Sequence, residues 1–193
     1  MIAPALARAE PAARAAAGLV RGRVAGAALL LAAALATGLG QDRPDTGPGG
    51  RGSEAGPQGS LRARVPQSVG VYVLQHVEEA PQLLAAGATD ALVAGYRSPE
   101  GVAIQYTMIA YPSEASAEAF LREVEAFYRS QGFEVKERGP VPARTAVDGG
   151  RFVRMEGDRE MLAWTNRRLF EGADGPIGEA RAFADAHFAN YPF

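Results

Sequence analysis

The sequence contains no cysteine, only two histidines and a single tryptophan. Without a thiol the chain has no disulfide bond, no cysteine nucleophile, no covalent haem attachment and no lipid-modified cysteine. His76 and His187 are far apart and do not have the spacing of a metal-binding pair. The fold must therefore be stabilised by packing alone, and cysteine or histidine chemistry is not expected.

The common catalytic motifs are also missing. The sequence has no HExxH, GxSxG, SxxK, GxGxxG or P-loop pattern. Glu156, Asp158 and Glu160 alternate across a turn and offer oxygen ligands of the kind that calcium prefers. Arg154 and Arg159 lie among them, which favours a solvated hairpin tip instead. We therefore predict a protein that is not an enzyme, with no catalytic residue and no bound cofactor or metal.

Neither sign of charge dominates the chain, whose formal net charge is -2. Arginines are frequent between residues 138 and 168, but acidic residues alternate with them. A solvated face of mixed charge is therefore favoured over an anion site, and nucleic acid is not a predicted partner. His76 and His187 both lie in apolar-patterned segments, which is typical of packed or partly exposed histidines.

A charge-free run covers residues 24–40 and follows the basic residues Arg21 and Arg23 at the end of region 1–23. A helix over this run is about 25 Å long, shorter than the roughly 30 Å of a bilayer core. The order of charge and apolarity predicts a signal h-region or a single transmembrane helix, with the remainder of the chain outside the cytoplasm. Ala36 and Gly38 suit a cleavage site. Cleaved signal, uncleaved anchor and buried soluble helix are the three alternatives.

Residues 41–68 are rich in glycine, proline, arginine and serine and carry Leu61 as their one leucine. Such a composition buries too little apolar surface to offset the entropy of ordering, so we predict a disordered linker. The linker serves either as a tether or as a mature N-terminus without a spacing role.

Periodic patterns begin at Val69 and predict one extracytoplasmic domain over residues 69–193. The clearest hairpin joins residues 88–97 and 102–111 through Ser98-Pro99-Glu100-Gly101, which suits a type I turn. An amphipathic helix follows Ser113, its predicted cap, and ends at Gly132. Further strands and a closing helix over 176–189 give an α+β fold, an antiparallel sheet of about five strands with two helices packed on one face.

The sequence favours a binding or accessory function over catalysis. We expect an exported or membrane-anchored, non-catalytic domain of the bacterial cell envelope, anchored through residues 24–40 if these are not cleaved and secreted if they are. Another envelope protein is a further candidate partner. Trp164 is either a core residue or, with Arg167 and Arg168, part of an interaction surface. The alternatives are a carboxylate-dependent envelope hydrolase, which requires two convergent acids in a cleft, and a small-molecule sensor, which requires a sizeable pocket between helix and sheet.

Overall fold

A computed structural model describes residues 60–141 and 150–190. They form a single antiparallel sheet with helices on both faces. In chain order the helices are α1 (Leu61–Arg64), a 3₁₀ helix (Pro81–Ala86), α2 (Glu114–Ser130) and α3 (Glu179–Asn190). The strands are β1 (Ser68–Val69), β2 (Tyr72–Glu79), β3 (Asp90–Arg97), β4 (Ala103–Ala110), β5 (Glu134–Pro140), β6 (Arg151–Glu156), β7 (Glu160–Asn166) and β8 (Leu169–Gly175).

The sheet has the strand order β1-β2-β3-β4-β8-β7-β6-β5. Two meanders, β1 to β4 and β5 to β8, meet where β4 pairs with β8, and Tyr106 lies opposite Ala173 at this junction. The α+β class and the antiparallel sheet are confirmed. The predicted number of about five strands is too low, because the described residues form eight.

The second correction concerns the helices, which do not share one face of the sheet. On one face α3 covers a core cluster that includes Tyr106, Trp164 and Phe183. On the other face α2 covers a second cluster that includes Phe120, Val124 and Phe170. The reason lies in β7 and β8, which are buried along almost their whole length. Strands buried on both faces require a helical layer on each side.

Helix α2 has the boundaries that its sequence predicts. Ser113 has extended backbone angles, and its hydroxyl accepts a hydrogen bond from the amide of Ser116 at 3.1 Å. At the other end Gly132 has a φ of +89°, the left-handed conformation that ends helices and suits glycine. The predicted turn after β3 is also present, since the amide of Gly101 donates to the carbonyl of Ser98 at 3.0 Å.

The two meanders are interlocked through their helices. Helix α2 ends the first half of the domain, yet it packs mainly on β7 and β8 of the second half. Helix α3 ends the second half, and it also contacts β1 and β4 of the first. Each half therefore covers apolar surface that belongs to the other.

The folded domain begins earlier than the sequence predicts. Leu61 and Val65, in a stretch assigned to the disordered linker, are buried in the core under α3. Their spacing places both on one side of a single helical turn, while the exposed Arg62 and Arg64 give this stretch its polar composition. Helix α1 is attached through the amide of Leu61, which donates to Asp90 Oδ2 at 3.2 Å.

The predicted leader lies outside the described residues. This holds for region 1–23, for the apolar run 24–40 and for residues 41–59 of the predicted linker. Among the helices of the described ranges, none combines the length and apolarity needed to cross a bilayer. Anchoring or cleavage at residues 24–40 stays a prediction.

Candidate functional site

A groove lies between α2 and the edge of the sheet formed by β5 and β6. We call it the α2–β6 groove, and its volume is about 550 Å³, within the usual range for sites that hold small molecules. Its apolar floor is formed by Leu121, Phe152 and Val153. The rest of its lining consists of Glu118, Arg122, Glu125, Arg138, Gly139, Pro140, Gly150 and Arg151.

The charges around the α2–β6 groove are arranged in two sets of ion pairs. Glu125 receives hydrogen bonds from the Arg138 guanidinium, one of them from Nε at 3.2 Å. Glu118 lies 3.8 Å from both Arg122 and Arg151, at the limit for an ion pair. The Arg151 side chain is 74% exposed, so a competing anion can reach it more easily than the bidentate Arg138. The groove thus combines an apolar floor with two weakly held arginines, Arg122 and Arg151, at its rim.

The α2–β6 groove contains two carboxylates, as the hydrolase alternative requires. Glu118 and Glu125 are seven residues apart on one helix, so their backbone positions are about 10 Å apart along its axis. Each carboxylate is in contact with arginine rather than with an apolar wall. A general acid usually needs the opposite environment.

A second polar position lies on the same face of the sheet, beneath α2. Tyr128 donates a hydrogen bond to Asp174 Oδ2 at 3.2 Å, and Arg159 forms an ion pair with the same carboxylate. Burial outweighs both partners and raises the pKa of Asp174 to about 6. Burial and the neighbouring Asp174 charge also raise the pKa of Tyr128 far above its usual value.

The cavity beside Asp174 is small. Its volume is about 20 Å³, and Gln105, Thr107 and Tyr128 contribute polar atoms to its lining. This volume suits about one water molecule and is far below what a small-molecule ligand needs. The position is therefore a candidate for a bound water that supports the buried carboxylate.

A third polar cluster lies on the opposite face, under α3. Trp164 Nε1 donates to Glu171 Oε2 at 2.6 Å, and His187 Nε2 lies 3.2 Å from the same oxygen. The Tyr106 ring is 5.5 Å from the His187 ring, and burial together with the Glu171 charge raises the pKa of Tyr106 well above its usual value. All four side chains are buried. Their contacts attach α3 to the sheet.

Glu160 joins the turn between β6 and β7 to the start of α3. Its fully buried carboxylate accepts hydrogen bonds from the amides of Gly178 at 3.0 Å and Arg181 at 2.9 Å. Arg154 Nε donates to its other oxygen at 2.5 Å and also pairs with Glu156. A carboxylate at this position satisfies amides that no helical carbonyl can reach.

Comparison with known proteins gives little information about this chain. No family model matches it, and no curated protein does. Among solved structures, a GTP binding regulator from Thermotoga maritima is similar over 63% of this chain and 78% of the other, at 12% identity and a TM-score of 0.37. A similarity of this size supports no statement about fold or function.

The predicted interaction residues do not lie together on the surface. Trp164 is completely buried, so it belongs to the core, and it is not part of any surface. Arg167 and Arg168 are exposed in the tight turn between β7 and β8. An interaction surface at Arg167 and Arg168 stays a prediction, now without the tryptophan.

The structure also places the acidic residues of the calcium hypothesis and the two histidines. In the described ranges no three acidic or histidine side chains are grouped as metal ligands. Glu160 is not at a solvated hairpin tip, because it is fully buried at the start of α3, whereas Asp158 is exposed. His187 is packed and His76 is partly exposed. The alternation of acidic residues around this turn could not predict the burial of Glu160, because that burial depends on α3, which is distant in sequence.

Sequence reasoning missed the α2–β6 groove and the Asp174 position. Arg138 and Arg151 belong to different strands, and the pairing of β5 with β6 brings both to the lining of the groove. Asp174 follows five buried positions of β8, and Glu171, three residues earlier, lies on the other face. A charged residue in an otherwise apolar strand was the one available signal.

Proposed function

We propose that this chain is an exported, non-catalytic binding or accessory domain of the bacterial cell envelope. It is held at the membrane by residues 24–40 or released after cleavage. One observation carries the proposal: basic residues, an uncharged run and a glycine- and proline-rich stretch precede a compact domain in this order.

The described domain supports a role in binding. The α2–β6 groove offers an apolar floor and a charged rim, which together suit recognition of a small or extended ligand. A charged ligand can bind there by replacing one partner of an exposed ion pair, for example Glu118 at Arg151. These features suit reversible association better than bond cleavage.

Localisation of the full chain in a bacterial host is the test. We expect the protein in the membrane fraction, or in the external fluid after cleavage, and we expect added protease to reach residues 60–190 in intact spheroplasts. Intact-mass measurement then shows whether residues 24–40 are retained. A full-length chain that is soluble in the cytosol would overturn the proposal.

The volume of the α2–β6 groove favours a second candidate, a small-molecule sensor. Its ligand would combine an apolar body with a carboxylate or phosphate that reaches Arg151 in place of Glu118. We expect such a compound to raise the melting temperature of the full chain, and Arg151→Gln to abolish the increase. Arg129→Gln is the matched control, because Arg129 pairs with Glu125 but does not line the groove.

A further inference from the structure

Two exposed segments with arginines lie at the same end of the sheet. Asp90 of β3 is opposite Ala110 of β4, and Ala110 is opposite Leu169 of β8. Helix α1 begins beside Asp90 through the Leu61 hydrogen bond. The turn between β7 and β8 directly precedes Leu169. We call the surface formed by Arg62, Arg64, Arg167 and Arg168 the arginine end.

The arginine end differs from the other basic positions in having no acidic partner. Within residues 60–141 and 150–190, no carboxylate lies within ion-pair distance of its four guanidinium groups. All four residues are exposed. Elsewhere in these ranges basic side chains do form ion pairs, apart from Arg97 at the opposite end: the paired ones are Arg122, Arg129, Lys136, Arg138, Arg151, Arg154, Arg159 and Arg181. These four arginines thus have no ion-pair partner in the described ranges, although Glu78, Glu79, Asp90 and Glu114 lie at the same end of the sheet.

The backbone conformation of Arg167 is a second, independent indication that the arginine end has a function. Its φ of +52° makes it the one residue other than glycine with a positive φ in the described part of the chain. The first central position of a two-residue hairpin turn usually holds glycine or asparagine, because a side chain is strained there. An outlier of this kind is a reason to look for function. A second arginine follows, so the turn keeps two adjacent like charges at its tip.

We propose that the arginine end binds the anionic headgroups of phospholipids. This inference rests on the proposed function, because export and residues 24–40 place the domain beside a bilayer. The chain enters the described domain at Ser60, next to α1, so the arginine end is the part of the domain closest along the chain to the anchor. Arginine binds phosphate through paired donors, and each such residue near an anionic surface strengthens association by about fivefold.

The test uses the full chain reconstituted in vesicles. Because the protein lacks cysteine, a single fluorophore can be attached at Asn166→Cys, beside the arginine end, or at Glu100→Cys in the exposed turn at the opposite end. Vesicles contain phosphatidylcholine alone or mixed with phosphatidylglycerol, with a quencher on the headgroups. We expect quenching at position 166 only with phosphatidylglycerol, and little quenching at position 100 with either lipid.

Charge substitutions separate this proposal from a general effect of net charge. Arg167→Gln combined with Arg168→Gln should weaken the docked state by about thirtyfold. Arg122→Gln combined with Arg129→Gln removes the same charge from exposed positions on α2 and should have little effect. Equal loss in both pairs, or quenching that does not depend on phosphatidylglycerol, would overturn the proposal. Binding of the arginine end to an envelope protein, with no dependence on lipid charge, would also overturn the proposal.

The vesicle experiments distinguish a wrong prediction of anchoring from a wrong prediction of headgroup binding. If the full chain does not insert into vesicles, anchoring through residues 24–40 is wrong, and co-sedimentation of the soluble chain then measures headgroup binding directly. Sedimentation that requires phosphatidylglycerol and is lost in the Arg167 and Arg168 double variant supports the arginine end. Absence of sedimentation overturns it.

Discussion

At the scale of single residues, the buried carboxylates of this domain are distinguished by their partners. Glu171 accepts from Trp164 and lies beside His187, Glu160 accepts from two backbone amides, and Asp174 is held by Tyr128 and Arg159. A buried acid that lost such partners would remain as an unsatisfied charge. Substitutions at these three positions are therefore expected to have measurable effects on stability.

The environment of Trp164 gives a direct spectroscopic prediction. Because it is the single tryptophan and is completely buried, fluorescence of the native chain should be blue-shifted and resistant to quenching by iodide. Unfolding in guanidinium chloride should shift the emission to longer wavelength and allow quenching. Native quenching as strong as that of the unfolded chain would show that Trp164 is exposed after all.

The raised pKa of Asp174 predicts that stability depends on pH in a defined window. Its pKa is about 6 in the folded state against 3.8 ordinarily, so between these values the folded state binds a proton that the unfolded state has released. The contribution of this proton to the stability of the folded state is complete below pH 3.8 and is lost as the pH rises through 6. The loss amounts to roughly 3 kcal/mol of unfolding free energy.

Asp174→Asn should remove this dependence. Relative to the unmodified chain, the variant should become more stable as the pH increases from about 4 to about 7, as measured by urea denaturation at each pH. Glu78→Gln, at an exposed site, is the control and should follow the unmodified chain. Parallel stability curves for Asp174→Asn and the unmodified chain would contradict the prediction.

At the scale of elements, the start of α3 depends on a side chain from a strand. Gly178 and Arg181 donate their amides to Glu160, which is buried and also bonded to Arg154. Glu160→Gln keeps an acceptor oxygen but leaves the Arg154 guanidinium partly buried with less opposing charge. We expect a loss of roughly 3 kcal/mol in the free energy of unfolding.

The neighbouring Glu156 provides the matched control. It pairs with the same Arg154, but its side chain is partly exposed and accepts no helical amide. Glu156→Gln should therefore cost about 1 kcal/mol or less in a urea titration. If the two substitutions had equal effects, the contacts of Glu160 with α3 would contribute nothing measurable.

Elements with local signals were predicted from the sequence, whereas their arrangement was not. The Ser113 cap, the left-handed Gly132 and the Ser98–Gly101 turn are each determined by a few adjacent residues, and the structure contains all three. The hairpin that joins β1 and β2 was missed, because Gly70 lies within a continuous apolar pattern that resembles one strand. The positions of Glu160 and Asp174 depend on contacts across the sheet, which no local pattern encodes.

The placement of the helices on opposite faces had a signal in the sequence. Met161, Leu162, Ala163 and Trp164 form an uninterrupted apolar run in β7, and all four are buried. Such a run is typical of a strand covered on both sides. The order of strands and helices alone does not distinguish one helical layer from two.

At the scale of the whole molecule, the interlocked halves predict that neither is stable alone. A fragment covering residues 60–132 keeps β1 to β4 and α2 but lacks β7 and β8, on which α2 mainly packs. We expect this fragment to show no cooperative thermal unfolding by circular dichroism, in contrast to the full chain. A cooperative transition with native-like α2 helicity would show that the first half folds by itself.

The packing of α2 on strands that follow it in the sequence also sets an order of events during synthesis. When Ser130 leaves the ribosome, the surface that α2 will cover has not yet been made, and the amides of α3 receive their last partners only after Arg181 has emerged. The native packing of α2 and of the start of α3 is therefore completed only after β7, β8 and Arg181 have been synthesised. Completion of the fold at this late stage is compatible with the proposed export, because a translocation channel is too narrow for a folded domain.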